Sequence, residues 1–477
     1  MAPLKNYQSF KNLPPLAGLA SFAEASKPGM SVEQCTDRLK RFHFIFRRLH
    51  EILISKIPSQ PIYELKSGFA HHAYLCAEHV QALRTRIGEM REPPLGLDKI
   101  PHDGLEMLMK EIQCAPNTAE LLIGIYEVVI PNLLGAITRY MDETNRLTDA
   151  PSVRVLRFAH LELLDLIEYG EHAIAAVVEE EDRTASKHWE AVLQDCLDAA
   201  GSIDGSGSTG PVPHAIYSQA GFRYDPVPQR DERFEDLWNQ GVNAEAFIYD
   251  PTLPAKPKTL MMLFKRLREI DVPEMMSSII YETKGKPWEY YRDMTRQLWD
   301  EARHAMMGEV GFVAQGVDWK LARITFNWSM RLNTECTAQE RHAVLYFIEQ
   351  GLMTRTGKRY EWEVAQESGV PLMATIQDFD WADEVLHAAI GRTWYVPEFE
   401  NLHQALAYGD ECWSRILSNW EEVRDSGLTE HHNWWPSLYR NACQAWGIQP
   451  DPQVEQFDID YNGARADLKS IQAGSNG

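Results

Sequence analysis

Two stretches of the chain share one pattern of acids and histidines. They are Asp300-Glu301-Ala302-Arg303-His304-Ala305-Met306-Met307-Gly308 and Asp383-Glu384-Val385-Leu386-His387-Ala388-Ala389-Ile390-Gly391, both D-E-x-x-H-x-x-x-G and 83 positions apart. A Glu and a His three residues apart lie on one face of a helix, so both reach the same metal ion. Chance supplies roughly one E-x-x-H in a chain of this composition, but only about a tenth of one D-E-x-x-H. A third E-x-x-H, Glu400 to His403, lacks the preceding Asp and is read as accidental. Two such helices provide half of a carboxylate-bridged two-metal site, which needs one more acid from each of two further helices.

For one of these helices, Thr337-Ala338-Gln339-Glu340 reads as a capping box that opens the run His342 to Glu349, which makes Glu340 a cap. Glu349 shares a face with His342, Leu345 and Tyr346 and precedes Glu384 by 35 residues, a spacing that suits a helical hairpin with its loop near 354–369. For the other, the best segment runs from Pro151 to Val177. Within it Glu162 falls on the stripe Val155, Phe158, Ala159, Asp165, Leu166 and Tyr169, where an acid is costly unless paired or bound to metal. Asp165, Glu168, Glu171 and Glu127 are its rivals.

The first copy, D-E-A-R-H, resembles the signature of the ferritin-like di-iron carboxylate oxidases and oxygenases. That resemblance covers about 250 residues and implies an all-α, ferritin-like four-helix bundle with extra N-terminal and C-terminal helices and a long insertion. It implies metal ligands Glu162, Glu301, His304, Glu349, Glu384 and His387. It also makes Asp300, Asp383 and Arg303 a supporting network that holds the far ring nitrogens of the histidines. Leu386 stands where the second copy would have its Arg, so the full network is expected on one half only. Related proteins place a redox-active Tyr near the metals, which draws notice to Tyr169 and Tyr346. Ordinary hydrogen-bonded core tyrosines would look the same.

Four carboxylates and two imidazoles suit iron or manganese better than zinc, whose structural sites favour Cys and His. The expected cofactor is therefore two Fe ions, or a Mn/Fe pair, with dioxygen as co-substrate. Reduced irons give electrons to dioxygen and so attack an unactivated small organic molecule, with an external electron donor where the reaction needs one. The alternative is a ferritin-like protein that stores or binds metal without oxygenase activity. Gly308 and Gly391 either open space for substrate or let helices pack closely.

The 477 residues carry a formal charge of −22, which argues against nucleic acid, a tRNA substrate included, because phosphate binding needs a basic face. It also disfavours an anionic membrane surface. Lys40-Arg41 and Arg47-Arg48 read as a solvated helix face. Seven scattered Cys without a C-x-x-C fit a reducing compartment. With no apolar leader and no run approaching a membrane span, a cytoplasmic protein is expected; a homodimer is the assembly considered, and the sequence leaves the oligomeric state open.

The organisation expected is a helical extension over 1–150, with helices near 31–57, 68–91 and 117–146, and a linker over 92–96. A bundle follows over 151–200 and 287–397, interrupted by a loop-rich insertion over 201–286 that lies as a lid. Gly201 to Pro211 reads as a mobile Gly/Ser loop. Pro287 is placed at the first position of the helix carrying the first motif. The stretch 317–336 reads as a crossover, and 398–477 as a helical segment with a disordered tail. His71, His72 and His79 read as ordinary polar packing, and Trp299, Trp381 and Trp434-Trp435 as packing residues.

Overall fold

The computed structural model describes residues 7–91, 96–239, 241–353, 357–417 and 420–461, and their regular structure is helical throughout. The tail from Asn462, most of the 92–96 linker and 354–356 lie outside the described residues. The chain forms two compact units, one from Met1–Leu53 with His72–Tyr224, the other from Ile54–His71 with Asp225–Gly477. This division differs from the organisation read from the sequence, which joined 151–200 to the motif helices.

The first unit is built on α1 (Val32–Lys56), α2 (Tyr63–Glu89), α3 (Asp103–Gln113), α4 (Thr118–Glu143), α5 (Ala150–Val177) and α6 (Glu180–Ala199); α1 and α2 run on into the second unit. The residues of α5 that repeat every three or four positions (Leu156, Ala159, Leu163, Leu166, Gly170 and Ile174) are its buried stripe, packed on α4. Midway along α4 the ladder widens into a π turn over Ile123–Val129. Gly170 sits directly over Tyr126 there, where a Cβ would come within 2.4 Å of the tyrosine. Helix α4 has 26 residues and contains an 18-residue window of mean hydropathy 1.8, long and apolar enough to span a membrane, contrary to the sequence reading; 61% of that window is buried among its neighbours.

Two other expectations fail in this unit. Arg41 donates to the carbonyls of Ala200 and Ser202 at 3.0 and 3.2 Å, and Arg48 is buried, so the basic stretch is not a solvated face. The Gly/Ser loop begins as a packed turn: Asp204 is buried, accepts from Ser206 N–H and Oγ, and pairs with Arg139 at 2.9 Å.

His43 and His50 are buried on α1. Burial pushes both down to about 3, helped at His43 by the charges of Arg84 and Arg47. A folded pKa below the unfolded value of about 6.5 means stability that is present above pH 6.5 and lost as pH falls toward 3. His43→Leu should therefore be less acid-sensitive. Its unfolding free energy relative to wild type should rise by about 1.4 kcal/mol per unit between roughly pH 6 and pH 4. Urea titrations across that range check this, and parallel pH dependences would refute it.

The second unit carries the helices that matter for chemistry. They are α7 (Ala255–Arg268), α8 (Asp271–Glu282), α9 (Trp288–Ala314), α10 (Asn327–Glu335), α11 (Ala338–Leu352), α12 (Lys358–Glu367) and α13 (Pro371–Trp394). Pro287 caps α9 and does not enter it. The chain packs α7 and α8 on α9, α11 and α12 on α13, and α9 on α13. The stretch read as a lid thus contributes two buried helices to the core; twelve of the fourteen residues of α7 are buried. Trp434 and Trp435 anchor the same core against Phe264 and Phe247.

Candidate metal centre

Helix α9 turns Gln297, Glu301, His304, Gly308 and Gly311 to one side at alternating steps of four and three, and all five are buried. Helix α13 does the same with Asp380, Glu384, His387 and Gly391. Where the two faces meet, ligand-capable atoms of Glu301, Glu349, Glu384 and His387 all lie within 4.8 Å of one another, and so do those of Glu269, His304, Asp380 and Glu384. Glu384 belongs to both groups, as a bridging carboxylate must.

Both imidazoles aim Nδ1 inward. His387 Nδ1 is 3.1 Å from Glu301 and 3.4 Å from Glu384; His304 Nδ1 is 3.4 Å from Glu269 and 3.6 Å from Glu301. Each Nε2 faces the Asp of the opposite motif: His304 toward Asp383 at 3.2 Å, His387 toward Asp300 at 3.4 Å. Arg303 joins these braces by pairing with Asp300 and, at 2.7 Å, with Asp383. One arginine therefore serves both halves, and the half-network expected from Leu386 does not arise; that leucine points outward, partly exposed.

The inward atoms lack ordinary partners. Glu269 Oε2, His304 Nδ1, Glu349 Oε2, Glu384 Oε2 and His387 Nδ1 are all buried and make no hydrogen bond of normal geometry. Five such atoms divided between two adjoining groups are costly in a dry interior. A pair of hard or borderline cations would satisfy them, and the O and N donors suit iron or manganese.

The protonation pattern agrees. Burial alone would lower both histidines, but Asp383, Glu269 and Glu301 hold His304, and Asp300, Glu301 and Glu384 hold His387, well above their ordinary value. Burial would raise Glu301, yet His304 and His387 bring it down to about 2. Burial and the charge of Glu384 push Glu349 well up. Without metal the site is thus a set of shared protons, which bound cations would expel.

Glu162 is not among these residues. It lies in the first unit, its carboxylate 2.7 Å from His79 Nε2 and partly exposed. That carboxylate faces His79 and partial solvent, and Glu269, at the end of α7, stands in the ligand group in its place. Two spacings could have revealed this: Glu269 precedes Glu301 by 32 residues, much as Glu349 precedes Glu384 by 35. Sequence reasoning also missed Asp380, Gln297, whose Nε2 donates to Glu349 at 3.1 Å, and Lys358.

Neither tyrosine enters the groups. Tyr346 is buried against Gly391 and Tyr395, and Tyr169 belongs to the first unit, edge-on to His72. Glu400, the accidental copy, is exposed and hydrogen-bonded to Gln404. Gly308 and Gly391 serve packing: a Cβ at Gly308 would meet the backbone of Leu267 at 2.4 Å, and one at Gly391 the ring of Tyr346 at 2.1 Å.

A cavity of about 130 Å³ opens beside Glu269, Glu301, Glu349 and Glu384. Val272, Met275, Leu332, Val344, Leu345 and Ile348 give much of its wall, and the charged Glu245, Lys265, Arg266, Arg268 and Asp271 line it as well.

The Asp braces should be felt in metal affinity. Asp383→Asn should weaken metal binding about 10- to 100-fold, the usual effect of losing such a partner, with helicity unchanged. Competition against a chelator measures it, and wild-type affinity would refute the brace. Comparison with family models, curated proteins and solved structures returned no match.

Proposed function

We propose that the second unit is a ferritin-like four-helix metal bundle whose two cations, iron or a Mn/Fe pair, serve a dioxygen-dependent oxidation of a small, largely apolar organic molecule. The observation that carries this reading is the paired ligand groups sharing Glu384, with five orphaned donor atoms beside an apolar cavity. Glu301, Glu349, Glu384 and His387 would hold one ion; Glu269, His304 and Glu384 the other. Bound iron would supply electrons to dioxygen.

The chain's own residues do the rest. Asp300 and Asp383 fix both imidazoles, and Arg303 locks the two aspartates together. Gln297 orients Glu349 through its outer oxygen, leaving the other aimed inward. Val344, Leu345 and Ile348 keep water off that side, which strengthens every charge interaction in the site. The cavity is on the order of the 150 Å³ that accommodates benzene, and an apolar cavity favours substrate chemistry over storage.

Anaerobic loading with Fe(II), followed by metal analysis and mixing with oxygenated buffer, tests the reading. About two irons per chain and a transient visible band are expected. No bound iron, or one zinc that resists exchange, would overturn it.

A further inference from the structure

We propose that Lys358 ranks the two metal positions, so that the Glu301/Glu349/Glu384/His387 group fills first and the Glu269/His304 group second. This rests on the metal-centre reading above. Lys358 is fully buried, and its ammonium lies 2.8 Å from Glu384 Oε1 and 2.9 and 3.0 Å from the two oxygens of Asp380. Arg266 adds a second cation on the same side, pairing with Asp380 and, at 2.8 Å, with Glu269.

The two groups are therefore unequal in charge although alike in ligand type. Around Glu269, Asp380 and Glu384, two fixed cations already compensate three carboxylates. Around Glu301, Glu349 and Glu384, no described Lys or Arg pairs with Glu301 or Glu349; the one cation present is Lys358, reached through shared Glu384. A divalent ion entering the Glu301/Glu349/Glu384/His387 group meets no lysine or arginine other than Lys358 on the far oxygen of Glu384, and finds three buried atoms without a hydrogen bond: Glu349 Oε2, Glu384 Oε2 and His387 Nδ1. An ion entering the Glu269/His304/Asp380/Glu384 group must share Asp380 and Glu384 with an ammonium in a water-poor interior, where like charges repel strongly.

Lys358 opens α12 directly after Gly357. Its backbone is thus held at a helix start, and its side chain cannot leave the site without exposing Asp380 and Glu384. The ammonium acts as an internal substitute for part of the second ion's charge, which makes the one-metal form a stable state of the protein and not a defect of loading.

The test uses Mn(II) alone, added to the metal-free full chain and followed by electron paramagnetic resonance and competition with a chelator. Wild type should show an isolated six-line signal at one equivalent and a spin-coupled signal only on further addition, with the second ion bound about tenfold more weakly or worse. Lys358→Met should bring the two affinities together and give coupling from the first equivalent. Because that variant disturbs a buried pair, a second comparison is independent of it. Glu349→Gln should remove the tight ion, whereas Glu269→Gln should leave it and remove the weak one. Two equal ions in wild type, or loss of the tight ion in Glu269→Gln, would overturn the ranking while leaving the metal centre intact. No bound Mn(II) at all would remove both.

Discussion

Glu384→Ala should strip metal from both positions at once. Its carboxylate is the one acid common to the two ligand groups, so its loss takes a ligand from each ion and the bridge between them. The same substitution also leaves Lys358 paired with Asp380, with Glu269 at 4.0 Å. Retention of Fe(II) or Mn(II) after gel filtration should fall about 100-fold or more, beyond the effect of losing a supporting partner. Far-UV circular dichroism should stay close to wild type, because Glu384 lies mid-helix and alanine favours that conformation. Glu400→Ala provides the contrast: it removes the acid of the third E-x-x-H, which is exposed, and should retain full metal. Equal metal content in Glu384→Ala and wild type would end the claim that these acids ligate anything.

The largest loss of stability is expected from Arg230→Ala. The guanidinium is buried and spends its donors fully: on Glu274 at 3.0 and 3.1 Å, on Asp271, and on the carbonyls of Thr325 and Ile324 at 2.8 and 3.1 Å. Lys66 pairs with the same Glu274, and Ser329 donates to Glu274 at 2.6 Å and to Asp271 at 3.0 Å. Burial raises Asp271 to about 7 even beside Arg230, while Arg230 and Lys66 draw Glu274 down to about 2 against its own burial. Taking away the central cation leaves Asp271 and two carbonyls without their charged partner and Glu274 with Lys66 alone, which costs about 3–5 kcal/mol. Because the chain has two units, urea unfolding should show this loss in the transition of the second, with the first little changed. A shift below about 1 kcal/mol would mean water reaches the network.

Parts of this site are written plainly in the sequence. The two D-E-x-x-H helices specify their own inward faces, and Glu349 follows from a capping box that fixes the start of its helix. What the sequence hides is partnership. Glu162 satisfies the same stripe argument as a ligand would, because periodicity places an acid on a face without saying what lies opposite; there it is His79, 83 residues earlier, and the carboxylate keeps part of its surface in solvent. Glu269 ends a run that mixes Leu and Met with five Lys and Arg and reads as an insertion, since nothing local says that a 14-residue helix of this kind belongs to a particular bundle. The shared role of Arg303 is equally non-local: Leu386 departs from the motif, yet the arginine of one helix reaches the aspartate of the other.

The contacts at Gly308 and Gly311 set a tolerance on the whole centre. Helix α9 presents no Cβ to α7 at either position, and Leu263 and Leu267 of α7 fill the space. Leu267 is two residues from Glu269, and Gly308 one turn from His304, so the missing methyl groups act as a gauge for the gap these two ligands span. A larger residue at either glycine would push α9 from α7 and part Glu269 from His304, on that side of the centre only and without touching either side chain.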